Sequence, residues 1–522
     1  MMRGYRKLRS EDKLDTIASI KDQFAATTFP GFQERNLRFL LGAGASQARL
    51  ILTQLLLLRF AGVAFNRSML VAVCPGGSFS SPLPSEWREV LRKNGIPVNE
   101  LKCSFAWTRY VAANLLRGVV QAAIIFLRSL REVCQRPADK SPGRVFFHDM
   151  TPANLPSAIA TRGNARNIFA WYARWLDRRA DLASLEHDVG GVSERLVEGI
   201  PVRSGKSFPV PDTSMGIIAY VKWSIGAIIM VLQDLVCGRW HSAILLQEAS
   251  KAASVRFVDA GALPAENFFH NSSWLYRPLW TYEAESKGSK TVFYFYSTNA
   301  ESFKQASGYV RQENLWQATN WPRYMVWDEW QKAFLQRVTV NNADIEVVGS
   351  IDFSDSGESC LDVAPDAIAL FDVQPMRKSI YESLGIGNEY YVAETADGFL
   401  RDVSETASDL GIPIVFKRKR DVGKSVHPRY RNLVAELALT PGFHSIDPAI
   451  NARNLIIRSR MVISMPFTST ALLGREMGKP SCYYDSTGRV QRDDRAAHGI
   501  PVVLGRTELS GWMQTVSCAK RG

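Results

Sequence analysis

Paired cysteines are missing from this sequence. Its seven cysteines (Cys74, Cys103, Cys134, Cys237, Cys360, Cys482 and Cys518) are scattered with no C-x-x-C spacing among them, which argues against a zinc site and a disulfide framework and fits a reducing cytoplasm. A signal peptide is missing as well: the charged stretch Met1 to Lys13 is not followed by a short apolar core and a small-residue cleavage site, so export is not expected. Uninterrupted apolar runs of membrane-spanning length are also absent. Leu50–Phe65, Val111–Leu127 and Met215–Val236 come nearest, but Arg59, Arg117 and Lys222 interrupt them, and a charge at the middle of a span costs at least about 2.5 kcal/mol. These stretches read as buried or half-buried helices of a soluble domain. The alternative is peripheral attachment, with apolar helix faces dipping into the inner leaflet of the plasma membrane, assisted by Arg3, Arg6, Lys7 and Arg9. There is no low-complexity tract, internal repeat, RNA-binding aromatic signature or long basic run, so nucleic acid is not an expected partner.

What is present is the composition of a folded chain, 46% hydrophobic and 22% charged. A length of 522 residues suggests two to four units, at roughly one domain per 150 residues. The 63 lysines and arginines exceed the 51 aspartates and glutamates, a formal charge of +12, which draws the protein to anionic partners such as nucleotides, acidic glycans or anionic lipid.

From about residue 66 short apolar runs alternate with longer amphipathic ones, the pattern of an α/β protein. Met69–Cys74 reads as a buried strand, and Ser85–Asn94 as a helix capped by Ser85. Arg144–Phe147 reads as a short strand with His148 and Asp149 at its carboxyl end. Asn164–Ala183 and Gly216–Leu235 read as helices, and Thr291–Tyr296 and Ile345–Val348 as strands. A tryptophan-rich stretch with Trp316, Trp321, Trp327 and Trp330 is expected to wrap one lobe onto the other, and acidic Ser354–Asp366 to link them. The expected division is a basic helical segment over 1–65, a lobe with helical insertions over 66–355, and a second lobe over 356–515. In that last third, strands at Ala367–Asp372, Pro413–Lys417, Phe443, Met461–Met465 and Ser481–Asp485 alternate with helices at Ala393–Leu410, Arg431–Leu439, Ile450–Arg458 and Ser469–Met477. This rhythm predicts a parallel, doubly wound sheet.

Three hydroxyl residues, Thr468, Ser469 and Thr470, fill the turn between a strand ending at Pro466 and a helix that begins at once. Hydroxyls and free N–H groups at a helix start suit a phosphate, although an ordinary N-cap uses the same residues. Two turns along, Glu476 is placed to accept hydrogen bonds from both hydroxyls of a ribose, or else it is a solvated glutamate on an exposed face. Lys417-Arg418-Lys419-Arg420, with His427-Pro428 beyond, can neutralise a donor phosphate as a sugar leaves; a solvated basic loop is the alternative. Ligands of open α/β sheets gather at the carboxyl ends of strands, which makes His148 and Asp149 a candidate pair, with a cap or turn as the plainer role for the aspartate. No convincing D-x-D metal motif occurs: Asp493-Asp494 lies among arginines and reads as an ion-pair cluster.

The strand-turn-helix with His427-Pro428 upstream resembles the donor lobe of GT-B glycosyltransferases that use CMP-linked acidic sugars, such as bacterial sialyltransferases and the Kdo transferases of capsule synthesis. More closely, Pro466-Phe467-Thr468-Ser469 resembles the signature of the polysaccharide biosynthesis PFTS-motif proteins. The likeness extends through Arg277-Pro278-Leu279-Trp280, Tyr294-Phe295-Tyr296-Ser297-Thr298-Asn299, Phe371-Asp372-Val373-Gln374-Pro375 and Lys417-Arg418-Lys419-Arg420. It covers about residues 265–510 well and the first 200 weakly.

The resemblance implies a GT-B-like fold, two Rossmann-type lobes with a cleft between them. The lobe over 66–355 would take the acceptor and that over 356–515 the nucleotide sugar. It implies metal-independent glycosyl transfer in capsule or O-antigen synthesis, with no cofactor beyond the donor. The donor would be a CMP-linked acidic sugar such as Kdo or a nonulosonate, and the acceptor a glycan or lipid-linked oligosaccharide. His427 and the hydroxyls of Thr468, Ser469 and Thr470 would contact the donor phosphate, with Glu476 near the ribose. One departure matters: where many retaining enzymes carry two glutamates eight positions apart, the earlier position here is Thr468, so inverting chemistry is expected. An inverting transfer needs a base for the acceptor hydroxyl; the candidates are Asp149 with His148 beside it, then Glu283. A UDP- or GDP-hexose donor, a CDP-polyol donor, or a non-catalytic scaffold of the assembly complex are the alternatives.

Overall fold

The computed structural model describes residues 19–20, 22–24, 26–27, 33–61, 78–134, 143–156, 167–175, 182–270, 277–295, 301, 303–309, 319–339, 342–353, 363–377, 390–418 and 423–519. Two sheets organise them. The first contains β1 (Arg144–Phe147), β2 (Ser184–His187), β3 (Arg195–Val197), β4 (Ile200–Ser204), β5 (Glu266–His270), β6 (Lys290–Tyr294), β7 (Arg323–Val326) and β8 (Asp344–Val347), in the order β3-β4-β2-β1-β5-β6-β7-β8. It is parallel except for the β3–β4 hairpin at one edge. The second contains β9 (Ile368–Phe371), β10 (Ile414–Lys417), β11 (Phe443–Ile446), β12 (Met461–Ser464), β13 (Ser481–Asp485) and β14 (Val502–Leu504), in the order β11-β10-β9-β12-β13-β14, all parallel. Strands β1, β9 and β12 are buried at every position, as parallel strands covered on both faces must be. The expected two-lobed α/β architecture holds.

Each sheet reverses its strand order once, between β1 and β5 in the first and between β9 and β12 in the second. A reversal sends the following crossovers to opposite faces and leaves a crevice at the carboxyl ends of the two central strands. Loops beyond β6, β7 and β8 meet the second lobe. Phe303, beyond β6, packs on Tyr390, Tyr391 and Phe467 of the second lobe at centroid distances of 4.8, 5.7 and 4.6 Å. Asp328, just past β7, holds His498 at 2.8 Å and Arg475 at 3.2 Å, and Asp352, past β8, holds Arg453 at 2.7 Å.

Helix His241–Arg256 backs the first sheet, with thirteen of its sixteen residues buried. Helix Glu100–Cys134 lies against it through Cys103, Val111, Asn114, Gly118, Ala122, Ile125 and Ser129, a spacing that keeps one stripe on the partner helix. Helix Ser214–Val236, N-capped by the Thr213 hydroxyl on Gly216 N at 3.1 Å, packs beside it. Helices Glu34–Leu41 and Ala48–Ala61 share the same hydrophobic core, so the described part of segment 1–65 does not stand apart from the lobe.

Several expectations shift at their edges. The helix expected at Ser85 is present as Ser85–Lys93, but Pro84 takes the N-cap position and no side chain caps it. The helix expected from Arg431 starts at Pro428, where proline fits the first helical turn. The strand expected at Met69–Cys74, residue Trp316, the Ser297–Asn299 stretch, and most of the Ser354–Asp366 linker lie outside the described residues.

Gly118 shows how closely the helices meet: a Cβ there would lie 2.6 Å from Leu246. Gly118→Leu is expected to lower the thermal unfolding midpoint, by about 1–3 kcal/mol of overpacking. Gly190→Leu, where nothing lies within 4 Å, should leave it unchanged in the same melting experiment.

Candidate functional site

The second lobe's crevice opens at Asp372, directly after β9. Its carboxyl is buried; Oδ2 accepts the Tyr430 hydroxyl, and Oδ1 has no partner. Burial raises its pKa from 3.8 to about 7, against the opposing pull of the Tyr430 hydrogen bond and the Arg418 charge. Three more buried polar atoms around it lack partners among the described residues: Gln374 Nε2, Arg418 Nε and His427 Nδ1. The loop is fixed by the His427 amide, which donates to the Pro375 carbonyl at 2.9 Å. Buried polar atoms are nearly always satisfied, so four orphans around one crevice mark a place made for a polar ligand.

Two helices begin beside it. Pro428–Leu437 has His427 at its N-cap and Ser469–Glu476 has Thr468, and neither cap side chain bonds its own helix. The leading N–H groups stay open to an anion. The turn into the second helix holds Phe467 at φ 60°, a left-handed conformation costly for a bulky aromatic and most often tolerated where a site demands it.

Of the three hydroxyls expected to meet a phosphate, two are spent internally. Thr468 Oγ1 donates to the Met465 carbonyl at 3.0 Å, and Thr470 Oγ1 bonds Ser464 Oγ at 2.9 Å. Ser469, half-buried at the helix start, is the hydroxyl that neither of these bonds engages. Lys417 does not fit the phosphate role: its ammonium donates to the carbonyls of Pro448 at 3.0 Å and Arg418 at 3.2 Å, and burial lowers its pKa against the pull of Asp447. Glu476 is likewise engaged elsewhere. It accepts from the amide of Ser350 at 3.1 Å and from the Ser350 hydroxyl, fastening the connector between the lobes, so the ribose position implied for it is occupied by protein. Pro428 is exposed at the first turn of its helix, and Lys419 and Arg420 lie outside the described residues. Asp493 and Asp494 form the expected ion-pair cluster, with Lys304 on Asp493 and the Lys304 amide on Asp494 at 2.7 Å.

The first lobe's crevice opens at His148 and Asp149. His148 cannot be the base: its ring is stacked on Phe269 with centroids 4.0 Å apart, Nε2 meets Asn267 Oδ1 at 3.1 Å, and burial depresses its pKa to about 3. Glu283 is also a structural group. It accepts from Ala43 N at 3.0 Å and pairs with Arg256 at 3.0 Å, deep under the N-terminal helices. Asp149 remains. It sits at φ 57°, its amide is held by Asp188 Oδ2 at 3.1 Å, and its own Oδ2 is buried without a partner. Beside it, at the end of β5, stands His270, whose pKa burial lowers while the Asp149 charge opposes the shift. The sequence reading missed His270 because it missed β5; a strand written Glu-Asn-Phe-Phe-His, buried at all five positions, has polar ends that mask it.

A cavity of about 320 Å³ is lined by Asn167, Trp171, Arg174, Trp175, Ser350 and Asp352. The two indoles stack at 5.3 Å, and the buried Asn167 Nδ2 has no partner.

A family model described as "Polysaccharide biosynthesis PFTS motif protein" matches residues 223–513. No curated protein matches the chain. Among solved structures, the UDP-GlcNAc 2-epimerase of Methanocaldococcus jannaschii is 10% identical with a TM-score of 0.37, over 73% of this chain and 93% of that one. The UDP-GlcNAc 2-epimerase of Neisseria meningitidis, bound to UDP-GlcNAc, is 11% identical with a TM-score of 0.34, over 72% and 92%. MurG of Acinetobacter baumannii is 12% identical with a TM-score of 0.28, over 72% and 91%.

Asp372 yields a test of the crevice's electrostatics. With a folded pKa of about 7 against 3.8, the folded state keeps a proton that the unfolded chain has lost between those values. Stability therefore falls as pH rises through that window, by a few kcal/mol at about 1.4 kcal/mol per unit. Asp372→Asn is expected to be more stable than the parent at pH 8 and no more stable at pH 4, as read by denaturant unfolding at the two pH values.

Proposed function

Because the chain belongs to the polysaccharide biosynthesis PFTS-motif family, we propose that it is a glycosyltransferase that moves a sugar from a nucleotide donor in the β9–β12 crevice to a hydroxyl of a glycan facing the β1–β5 crevice. The carrying observation is the set of orphaned polar atoms on Asp372, Gln374, Arg418 and His427 beside two uncapped helix starts. A diphosphate or phosphodiester with a polar sugar supplies the acceptors and charge that such a place lacks.

In the proposed reaction the acceptor oxygen attacks the anomeric carbon and gives its proton to Asp149. The bond from that carbon to the donor phosphate breaks, and the departing phosphate takes the electron pair. The open N–H groups from Ser469 onward, Arg418 and His427 hold the charge that develops there. Backside attack of this kind inverts the anomeric centre, and no cofactor beyond the donor enters. The donor we favour is a CMP-linked acidic sugar, on the likeness around His427-Pro428 and the basic crevice. The stacked Trp171 and Trp175, with the Asn167 amide, offer the acceptor a flat apolar face and a directed donor, the combination a pyranose ring presents in reverse. We place the reaction in the cytoplasm, in keeping with cysteines that include unpaired, exposed Cys134, Cys237 and Cys518.

Thermal stabilisation by CMP, CDP, UDP and GDP tests the donor site, since a ligand specific to the folded state adds about 2.7 kcal/mol at a hundred times its Kd. Stabilisation by CMP alone, lost in Arg418→Ala and His427→Ala, is the expected result. Selective UDP, GDP or CDP binding would replace the donor assignment, and no response to any nucleotide would favour a scaffold role. In transfer assays with the nucleotide sugar so identified, Asp149→Asn is expected to keep nucleotide binding and to lose about 10²–10⁴-fold in kcat, the range of a missing general base.

A further inference from the structure

Helices Glu100–Cys134 and Ser214–Val236 each bury one stripe and expose an apolar face where a soluble helix would be polar. On the first, Leu101, Phe105, Leu116, Ile124 and Leu127 are exposed. On the second, Met215, Ile218, Ile225, Ile229 and Val236 are exposed. Single exposed leucines are ordinary, but two adjacent helices presenting such faces together are not. Both pack on helix His241–Arg256 and on each other, so the faces turned away from it form one surface. At 1.5 Å per residue that surface is about 50 Å long on the first helix.

Apart from Glu100, Glu132 and Asp234 near their ends, the charges on these helices are cationic. From Leu101 to Arg131 the sequence has five cations, Lys102, Arg109, Arg117, Arg128 and Arg131, and no carboxylate. From Ser214 to Gln233 it has Lys222 and again no carboxylate. Lys102, Arg109, Arg117, Arg131 and Lys222 are exposed.

We propose that this face lies flat on an anionic bilayer, its apolar side chains in the acyl boundary and its cations among the headgroups. Both helices are long and apolar enough to cross a membrane, but their packing argues for the in-plane arrangement. The buried stripes run nearly end to end, Cys103 to Ser129 and Gly216 to Asp234, and hold the helices to one that carries the Glu248–Lys251 ion pair at 3.0 Å and rests on the sheet's core. A span would pull these into hydrocarbon. A second copy of the chain is a poorer occupant, because its cations would oppose the same cations across the contact. The inference is independent of the glycosyltransferase reading, although it would bring a lipid-linked acceptor to the cleft.

Flotation of the purified full chain with vesicles tests it, comparing phosphatidylcholine alone with phosphatidylcholine mixed with phosphatidylglycerol. The chain is expected to float with the anionic vesicles, about tenfold less with the neutral ones, and to be released by alkaline carbonate. Two double variants, Leu127→Glu with Ile229→Glu and Arg117→Glu with Lys222→Glu, should abolish flotation while keeping the parent's melting midpoint, since all four side chains are exposed. Absence of flotation by the parent, flotation undiminished in both folded variants, or resistance to carbonate would each overturn the proposal. So would a dimer that Leu127→Glu with Ile229→Glu dissolves in the absence of vesicle binding.

Discussion

A parallel sheet cannot turn back on itself; each strand must be reached by a crossover, and where the crossovers change direction two helices part and leave a crevice at the strand ends. This chain meets that constraint twice, once between β1 and β5 and once between β9 and β12. The rest of the structure is arranged around the two openings. Phe303 on Phe467, Asp328 on Arg475 and His498, and Asp352 on Arg453 each run from a loop that follows a strand of the first sheet to the second lobe, so the contacts that hold the lobes together turn the carboxyl ends of the first sheet toward the second lobe. The non-glycine residues with left-handed backbone include Asp149 at one opening and Phe467 at the other, where tight turns must begin directly from a buried strand.

The two openings are finished differently. Around β1 and β5 the polar groups largely satisfy each other: His148 is closed onto Asn267, and Asp188 holds the amides of Asp149 and Met150 at 3.1 Å each. Asp149 Oδ2 stays without a partner among the described residues. Around β9 and β12 the opposite holds, with a carboxyl, an amide, a guanidinium nitrogen and an imidazole nitrogen each left without a partner. An orphaned buried polar atom costs about 1–3 kcal/mol, so this side carries a larger burden in the empty protein and has more to recover when a charged, hydrogen-bonding ligand enters.

The second lobe was legible in the sequence because its elements are written in the periods that backbone geometry reads. Met461–Ser464 and Ser481–Asp485 are apolar runs of strand length, and Ala393–Asp409 keeps a helical apolar face. In the first lobe β2, β5 and β7 were not legible, because burial there is bought with paired charges. Glu186 in β2 is buried against Arg144 at 3.6 Å, and Glu266 in β5 accepts the Tyr172 hydroxyl at 2.7 Å; residue type alone gives such strands a surface appearance. The site divides the same way. Position along a strand-turn-helix pointed to Ser469, His427 and Asp149, whereas whether Lys417, Glu476, Glu283 or His148 is available depends on which distant group has taken it. Ser350 is 126 residues from Glu476, and no spacing rule reaches that far.

Asp372 shows the limit most clearly. It stands in a stretch whose resemblance was visible, Phe371-Asp372-Val373-Gln374-Pro375, yet nothing in those five residues says that the carboxyl is buried or that its ionisation is delayed to near neutrality. Burial within the folded lobe delays the ionisation, and Tyr430 and Arg418, which other elements bring in, act against that delay. An ionised Asp372 would repel a phosphate arriving beside Arg418 and His427, while a protonated one would not. With a pKa of about 7, the group is balanced between the two states near neutral pH. Burial, which makes the carboxyl costly to charge, is thus what sets the charge this crevice presents near neutral pH.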